Sequence, residues 1–432
     1  MSIANSMEAE KNKKPGLVSK NMLLPFILVT TLFFMWGIPN NLNGVLIKQF
    51  MKAMELSRFQ AGLIQSAFYL GYFSLAVPAG ILMRRYSYKT GIVAGLFLYA
   101  SGCILFWPAS VIGQYWFFLL SLFVIASGLA FLETGANPFI ALSGEPESSE
   151  KRLNFSQAFN PIGSITGVLI GTIFIFSGLE PDDSKINAMK LSGEYESFLR
   201  SETMRVVKPY IFLAAFAILW AFIIIRVRFP AFDIEKADNS ESQGSFRDML
   251  NFPHFWKGVL AQFFYVGAQV GTWSYFIPYV QDYTSQTEKI AGYFLTGTLV
   301  AFGIGRFSAT WFMHYIKPGV LMGIYSLINV LLAAVSIIFP GWLGMWAIFL
   351  TSFFMSLMYP TIFATSIKGL GKNTKIGGSV LVMAIIGGSL FTPLMGYIAE
   401  RTNSMAIAMI IPLIAYVYIS YYSLIEEKKN PF

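Results

Sequence analysis

The sequence predicts an all-α membrane protein in which twelve transmembrane helices form two six-helix bundles related by pseudo-two-fold symmetry. The first observation behind this prediction is composition, since 55% of the residues are hydrophobic, only 12% are charged, and the mean hydropathy is +0.58. Soluble domains carry about a quarter charged residues. The second observation is that apolar runs of about twenty residues, the length that crosses a bilayer as a helix, recur along the whole chain. The third is that a polar segment separates six runs from six.

The apolar runs are predicted to be helices and not the strands of a membrane barrel. Each run is interrupted by glycine or followed by a charge cluster, and none shows the roughly ten-residue polar alternation of barrel strands. The first run is too long for the core of a signal peptide and lacks a small-residue cleavage site, so we expect it to stay attached. The runs cover residues 21–47, 60–83, 91–109, 115–142, 153–178, 209–228, 256–281, 290–313, 318–339, 341–366, 376–398 and 404–425.

The polar segment between the sixth and seventh runs has the composition of a linker and is predicted to divide the chain into two domains. The predicted division is a cytoplasmic N-terminal tail at 1–20, an N-terminal six-helix bundle at 21–228, a cytoplasmic linker at 229–255, a C-terminal six-helix bundle at 256–425 and a cytoplasmic tail at 426–432.

Two motifs repeat between the predicted bundles. Lys89-Thr90-Gly91 follows the second run, and Lys317-Pro318-Gly319 follows the eighth, 228 residues later. Asn137-Pro138 in the fourth run corresponds likewise to Tyr359-Pro360 in the tenth. Two similar bundles suit a transporter, because rocking one half against the other exposes a midplane site alternately to each side. The alternative is chance similarity between glycine-rich membrane helices.

Loop charge predicts the orientation of the chain in the membrane. If both termini are cytoplasmic, the inner segments carry 20 Lys and Arg residues and the outer loops carry 10. The positive-inside rule therefore places both termini in the cytoplasm. The formal net charge of +8 is then mainly a topology signal, and these scattered loops offer no basic face for nucleic acid. Arg84, Arg85 and Lys89 in the loop after the second run are either such topology markers or gating residues.

Residue content argues against several classes of function. The single cysteine, Cys103, cannot form an internal disulfide or a metal cluster, so we expect no metal and no cofactor. A membrane-embedded enzyme would need paired acids, a histidine cluster or a nucleophile with its base, and we identify none. His254 and His314 lie far apart at loop edges. A channel is a further alternative, but the repeat with a single intramembrane acid favours alternating access.

Glu133 is the only charged residue in the fourth run, Tyr115 to Leu142. An ionisable group at this depth costs at least a few kcal/mol, so it is by default a substrate site or a proton relay. Pro138 follows a little more than one turn later and removes the hydrogen bond to the Thr134 carbonyl, which adds free backbone polarity nearby. The alternative is a carboxyl group satisfied by a neighbouring helix or permanently protonated.

Uncharged polar and aromatic side chains recur at helical spacing on three other runs. Amides form hydrogen bonds without charge, and aromatic faces cover the C–H surface of a pyranose, so the set suits a neutral polyhydroxylated ligand. Hydrogen bonding between membrane helices is the alternative role for the amides. The small-residue series Gly163, Gly167 and Gly171 predicts close approach of another helix. The polar and aromatic candidates are Trp36, Asn40 and Asn43 on the first run, Gln157 and Asn160 on the fifth, and Gln262, Tyr265, Gln269 and Trp273 on the seventh.

Arg306, in the eighth run, is the only other deep charge. A charged substrate would need a fixed counter-ion, and one arginine is weak support for one. The alternative is a structural or gating residue that ties helix ends to the cytoplasmic loops.

Long sequence blocks resemble the L-fucose:proton symporter family of major-facilitator sugar porters over nearly the whole chain. The resemblance implies the major facilitator fold and proton-driven import of a neutral monosaccharide without covalent chemistry. It also implies that Glu133 is essential for proton coupling, that Gln157 and Asn160 contact the sugar, and that Trp36 and Trp273 match family tryptophans. The blocks are FFMWGIPNNLNGVLIKQF, FQAGLIQSAFYLGYF, GLAFLETGANPFIALSG, RLNFSQAFNPIG, AQFFYVGAQVGTWSYFIPYV, YFLTGTLVAFGIGRF and MYPTIFATSIKGLG.

One departure from the family pattern bears on coupling. The family's first-helix motif ends in an essential aspartate, where this chain has Gly44. Either Glu133 alone carries the proton, or the protein is a facilitator without coupling, or another group has taken over. Loss of the side chain also leaves space for a bulkier sugar.

Taken with the resemblance, these observations predict a proton-coupled importer of a neutral monosaccharide. L-fucose is the family-based choice, and glucose, galactose or an N-acetylated hexosamine are alternatives. We expect a monomer in the bacterial cytoplasmic membrane, whose partners are the sugar, protons and lipid. The predicted substrate-binding set is Trp36, Asn40, Asn43, Asn137, Gln157, Asn160, Tyr265, Gln269, Trp273 and Tyr359.

Overall fold

A computed structural model describes residues 18, 20–144, 149–229, 246–370 and 373–429 of the chain. All regular elements in these ranges are helices. Each of the twelve predicted runs falls on one helix or on consecutive helical segments, which we number α1 to α12. Their bounds are α1 Leu23–Ala53, α2 Arg58–Arg85, α3 Tyr88–Ile112, α4 Tyr115–Leu142, α5 Ser149–Gln157 and Phe159–Ile170, α6 Val207–Arg226, α7 Pro253–Thr284, α8 Glu288–Phe312, α9 Pro318–Ile338, α10 Trp342–Met355 and Met358–Ile367, α11 Thr374–Met383 and Gly387–Thr402, and α12 Met405–Ala408 and Ile410–Lys429.

Short helical segments complete the described fold. A π-helical turn, Gly171–Ile175, extends α5, and a 3₁₀ turn, Ala384–Ile386, joins the two segments of α11. The connection between α5 and α6 contains the helices Asp183–Ser192 and Tyr195–Met204. Of the predicted linker, 230–245 lies outside the described residues, and Phe246–Met249 forms one helical turn. Residues 1–17 and 430–432 of the predicted tails also lie outside them.

In the part of the chain that the structure describes, eleven helices are long and apolar enough to cross a membrane. The remaining one of the twelve, α7, is 32 residues long, which corresponds to about 48 Å of helix and exceeds the thickness of a hydrocarbon core. Its amide and hydroxyl side chains lower its apolar content. Helix α7 packs against α1, α10, α11 and α12, so protein surrounds much of its surface.

The helix ends define two faces of the molecule. We call the end at which α1 stops and α2 starts the outer end, and the opposite end the inner end, following the predicted orientation. Short connections such as 54–57 and 113–114 make successive helices antiparallel.

The helices pack as two groups with contacts between them. In the first half, α4 packs against α2 and α3, and α1 packs against α5. In the second half, α9 packs against α10 and α12, and α7 packs against α11 and α12. The two halves meet where α2 packs on α11, α1 on α7, and α5 on α8. Any cavity on the axis between the halves is therefore lined by both.

Glycine brings the backbones of α1 and α5 into direct contact. A Cβ atom added at Gly163 or Gly167 would collide with the backbone carbonyl groups of Phe34 and Ile38. In return, a Cβ atom at Gly37 would collide with the backbone of Asn160. The predicted close approach along this small-residue series is confirmed, and it fixes Asn160 beside the first helix.

Candidate functional site

A large cavity of about 850 Å³ lies between the two halves and extends towards the inner end. Gly319 in the first turn of α9, Lys368 after α10 and Ser423 near the end of α12 line its inner part. A small chamber of about 220 Å³ adjoins it on the outer side. Gln65, Gly44 and other residues from the outer halves of the helices line this chamber. The two spaces share the wall residues Asn40, Tyr69, Asn160, Gln269, Arg306 and Tyr359.

Glu133 lines the large cavity from α4. Among the described residues, no hydrogen bond or ion pair is found for its carboxyl group. Tyr69, Tyr72 and Tyr359 line the same cavity. The carboxyl group thus lies at a cavity wall without a fixed partner, as a site of reversible protonation requires.

Two amide side chains lie beside the backbone of Glu133. Asn137 Nδ2 donates to the Glu133 carbonyl oxygen at 3.1 Å, and Gln157 Nε2 reaches Asn137 Oδ1 at 3.5 Å. Asn137 and Gln157 also line the large cavity, so two predicted side chains are brought beside the acid.

Most of the predicted substrate-binding residues line one space or both. Trp36 is buried against Phe33 with ring centroids 4.3 Å apart, and both rings line the large cavity. Tyr265 and Trp273 line the small chamber, where Phe302 packs edge-on to Trp273 at 5.3 Å. Aromatic walls of this kind bury the apolar faces of a ligand.

The amide groups on these walls keep hydrogen-bonding capacity. Asn160 Nδ2 donates to the Phe33 carbonyl oxygen at 3.4 Å, and Gln269 Nε2 donates to the Tyr265 hydroxyl at 2.9 Å. Asn40 Oδ1 is buried without a partner among the described residues. Because each amide has two donors and an acceptor oxygen, the walls can receive and supply further hydrogen bonds.

Asn43 lies outside both linings. It is fully buried, and its Nδ2 donates to Gln65 Oε1 at 3.2 Å. Gln262 is also fully buried, and its two amide atoms lack partners among the described residues. Of the amides on the predicted stripes, these two therefore lie behind the cavity wall.

The basic residues separate into two groups. Arg306 lines both spaces, with its guanidinium carbon 4.9 Å from the centre of the Phe302 ring and its Nε donating to the Ser356 carbonyl oxygen at 3.4 Å. Lys89 Nζ donates to the carbonyl oxygens of Ile225 and Val227 at 2.8 and 2.9 Å, so it caps the end of α6. Arg85 is exposed, and the side chain of Arg84 lies outside the described part of the chain.

Several lining residues were missed from the sequence, and three of them share one helix. Gln65, Tyr69 and Tyr72 lie on α2 at positions i, i+4 and i+7, and each contributes to a cavity wall. This spacing places them on one helix face, so it was a signal in the sequence. The block FQAGLIQSAFYLGYF carries it.

The outer end is closed by contacts between charged side chains of the two halves. Lys52 Nζ on α1 lies 2.6 Å from Glu202 Oε2 in the first half and 2.8 Å from Glu288 Oε1 on α8. Arg58 on α2 pairs with Asp282 on α7 at 2.6 Å. Glu288 is fully buried, so Lys52 forms its ion pair inside the protein.

Known proteins match the chain over almost its whole length. The model of the Major Facilitator Superfamily matches residues 26–375. The L-fucose-proton symporter of Escherichia coli K12 is 44% identical over 407 residues, which cover 93% of this chain and 92% of that protein. The glucose/galactose transporter of Brucella abortus is 34% identical over 416 residues, covering 95% of each. A crystal structure of the transporter FucP in the outward conformation shares 42% identity and a TM-score of 0.69, covering 94% of this chain and 99% of that one. The predicted fold is confirmed.

Proposed function

The chain belongs to the Major Facilitator Superfamily, and on that premise we propose that it is a secondary active transporter that imports a neutral monosaccharide together with a proton. The observation that carries the proposal is the Glu133 carboxyl group, which lies on the wall of a cavity lined by amides and aromatic rings and has no fixed partner among the described residues. Such a cavity suits a polyhydroxylated ligand, and such an acid suits a proton.

L-fucose is the substrate that we propose first. Proteins similar to this chain include an L-fucose-proton symporter at 44% identity and a glucose/galactose transporter at 34%. Glucose, galactose and an N-acetylated hexosamine are the alternatives. Trp36, Asn40, Asn137, Gln157, Asn160, Tyr265, Gln269, Trp273 and Tyr359 are the proposed contacts, and Asn43 is proposed to act indirectly from behind the wall.

The proposed mechanism is alternating access. We assign the structure to an inward-open conformation, because the large cavity extends to the inner end while ion pairs close the outer end. Glu133 then faces the cytoplasm and releases its proton there after the sugar has left. Sugar and proton are coupled if each favours the same conformations.

We also propose the membrane context from the loop charges. Both termini lie in the cytoplasm, the protein resides in the bacterial cytoplasmic membrane, and a monomer suffices because both halves of the site come from one chain. Residues 21–228 and 256–425 are the proposed rocking units, joined by the linker at 229–255.

A facilitator without proton coupling is the second candidate function. Gly44 lines the small chamber, and neither Asp nor Glu is found among the described residues of its lining. If coupling needs an acid on α1, this chain lacks it, and the sugar would equilibrate down its own gradient.

Sugar-evoked pH change in proteoliposomes tests the two candidates. We expect L-fucose, or one sugar of a panel with glucose, galactose and N-acetylglucosamine, to drive proton uptake by the wild type and not by Glu133→Gln. Exchange of labelled sugar across the membrane serves as the control for folding of the variant. Sugar flux without proton movement in the wild type would establish the facilitator instead.

A further inference from the structure

Gln65 links the two halves of the molecule at the wall of the small chamber. Its Nε2 donates to Ser274 Oγ on α7 at 2.8 Å, and its Oε1 accepts from Asn43 Nδ2 on α1 at 3.2 Å. The three side chains are 4%, 1% and 0% exposed for Gln65, Ser274 and Asn43. A buried chain of polar side chains therefore runs from α1 through α2 to α7.

This chain crosses the boundary that must open when the transporter changes state. Asn43 and Gln65 belong to the first half and Ser274 to the second, so outward opening separates Gln65 from Ser274. Both residues also line the small chamber. The bond between the halves is thus part of the chamber wall and not a remote contact.

The small chamber matches the chemistry of one sugar ring. The rings of Trp273 and Phe302 form an apolar corner, and Asn40 Oδ1 supplies an acceptor without a partner among the described residues. At Gly44 a Cβ atom would lie 3.4 Å from the Trp273 carbonyl oxygen and 3.5 Å from Leu295 Cδ2, which is ordinary contact. The chamber therefore offers apolar and hydrogen-bonding surface directly beside Gln65.

We propose that Gln65 is a positioning residue for transport, whose bond to Ser274 makes closure of the outer end depend on sugar in the small chamber. This inference rests on the proposed function. A sugar beside the bond displaces water that would compete for the Gln65 amide and the Ser274 hydroxyl. Because linkage is reciprocal, a sugar that favours the closed outer end is itself bound more tightly when that end is closed.

Ser66 provides a matched comparison for Gln65. It is the next residue on α2, and its hydroxyl also bonds across the halves, donating to the Ser389 carbonyl oxygen at 2.6 Å. Ser66 lines neither the large cavity nor the small chamber. Ser66→Ala therefore removes a contact between the halves without changing the chamber.

The test uses a reporter thiol between the halves near the outer end. Thr172, in the π-helical turn that extends α5, is fully buried against Gly292 of α8. We expect it to become exposed when the outer ends part. The native Cys103 is buried and does not compete for reagent. Alkylation of Thr172→Cys by a membrane-impermeant maleimide is followed in right-side-out vesicles, with and without saturating L-fucose, glucose or galactose.

We expect the transported sugar to slow alkylation several-fold in the parent chain. Gln65→Ala and Ser274→Ala should abolish this slowing, and Ser274→Thr, which keeps the hydroxyl group, should restore it. Ser66→Ala should raise the rate without sugar but keep the slowing. In transport assays we expect Gln65→Ala to raise KM more than it lowers the maximal rate.

Two results would overturn the inference. Sugar-dependent slowing that is unchanged in both Gln65→Ala and Ser274→Ala would show that the bond does not connect sugar to closure. If Ser66→Ala loses the sugar-dependent slowing of alkylation as fully as Gln65→Ala does, the loss reflects weaker contact between the halves in general. If one sugar drives proton uptake in proteoliposomes but slows alkylation of the parent chain not at all, the inference fails and the proposed function stands. If no sugar drives uptake or exchange either, the proposed function fails.

Discussion

The outer and inner ends of the molecule differ in what lies between the two halves. At the outer end, one buried and one partly exposed ion pair join the halves, and α1, α2 and α5 pack against the second half. At the inner end, a cavity of about 850 Å³ separates the halves as far as Gly319 and Lys368. The same pair of halves thus makes a packed interface at one end and an open one at the other.

The kind of contact at the outer end suits a closure that has to be reversible. A purely apolar interface would tend to remain closed, because parting the halves would expose apolar side chains to water. Buried ion pairs recover their hydration when the interface opens, which offsets much of the attraction that they lose. Closure by Lys52, Glu288, Arg58 and Asp282 can therefore be specific without being permanent.

The largest effect is expected from Lys52→Met. Removing this ammonium group leaves Glu202 and Glu288 buried without their ion-pair partner, which costs about 3–5 kcal/mol for a buried pair. The closed outer end should lose stability by at least about 100-fold relative to the open one. Alkylation of Thr172→Cys in right-side-out vesicles should rise accordingly.

Lys190→Met is the control for the loss of an outer lysine, because Lys190 is exposed on the helix Asp183–Ser192. It should leave the alkylation rate unchanged. If the Thr172→Cys thiol is alkylated no faster in Lys52→Met than in the parent chain, the ion pairs are not what closes the outer end.

A smaller effect is expected from Gly62→Ala, which adds one methyl group where α2 meets α11. The new Cβ atom would lie 2.7 Å from Pro393 Cα and 2.8 Å from the Tyr275 hydroxyl, so the helices must shift apart. Overpacking of this kind costs about 1–3 kcal/mol, and the rate of sugar uptake should fall by about 5- to 100-fold. Uptake of labelled sugar into vesicles measures the loss.

Gly80→Ala is the comparison on the same helix, since a Cβ atom at Gly80 meets nothing within 4 Å. Both variants lose the same glycine flexibility in α2, and only Gly62→Ala crowds the interface. Equal uptake by the two would contradict a tight outer contact at Gly62.

The smallest effect is expected from Arg58→Met. Arg58 and Asp282 keep 24% and 30% of their side-chain surface exposed, so water and salt weaken their attraction. Exposed pairs contribute about 0.2–1 kcal/mol, and alkylation of Thr172→Cys should rise by no more than about fivefold. Asp282→Asn should give a similar rise, and the double variant should add little to either. Additive effects would show that the two residues act independently.

The sequence predicted the fold well because lipid imposes a simple requirement on it. A span must be apolar over about twenty residues, and such runs can be found without knowledge of their neighbours. The fourth run was predicted at 115–142, which are the bounds of α4 in the structure. The helices Asp183–Ser192 and Tyr195–Met204 were not predicted, since their polar composition resembles that of a loop.

The site was predicted only in part, because a helical pattern gives the face of a helix but not the depth of a cavity. Trp36, Asn40 and Asn43 share one face of α1, yet Asn43 lies behind the wall and bonds to Gln65. Lys52 and Glu288 are 236 residues apart, and each resembles an ordinary charge at a helix end. No local pattern pairs them, because their contact depends on how the two halves are docked.

The polarity of α7 has a consequence for how the protein is made. Hydroxyl groups of α7 bond to other helices, and within the described residues α7 is not among the eleven helices that are long and apolar enough to cross a membrane. We expect such a segment to enter the bilayer readily only when neighbouring helices supply hydrogen-bond partners for its polar side chains. The six helices of the first half emerge from the ribosome earlier and are available for this purpose. Biogenesis of the second half is therefore expected to depend on the first, so that a chain beginning at α7 would insert poorly.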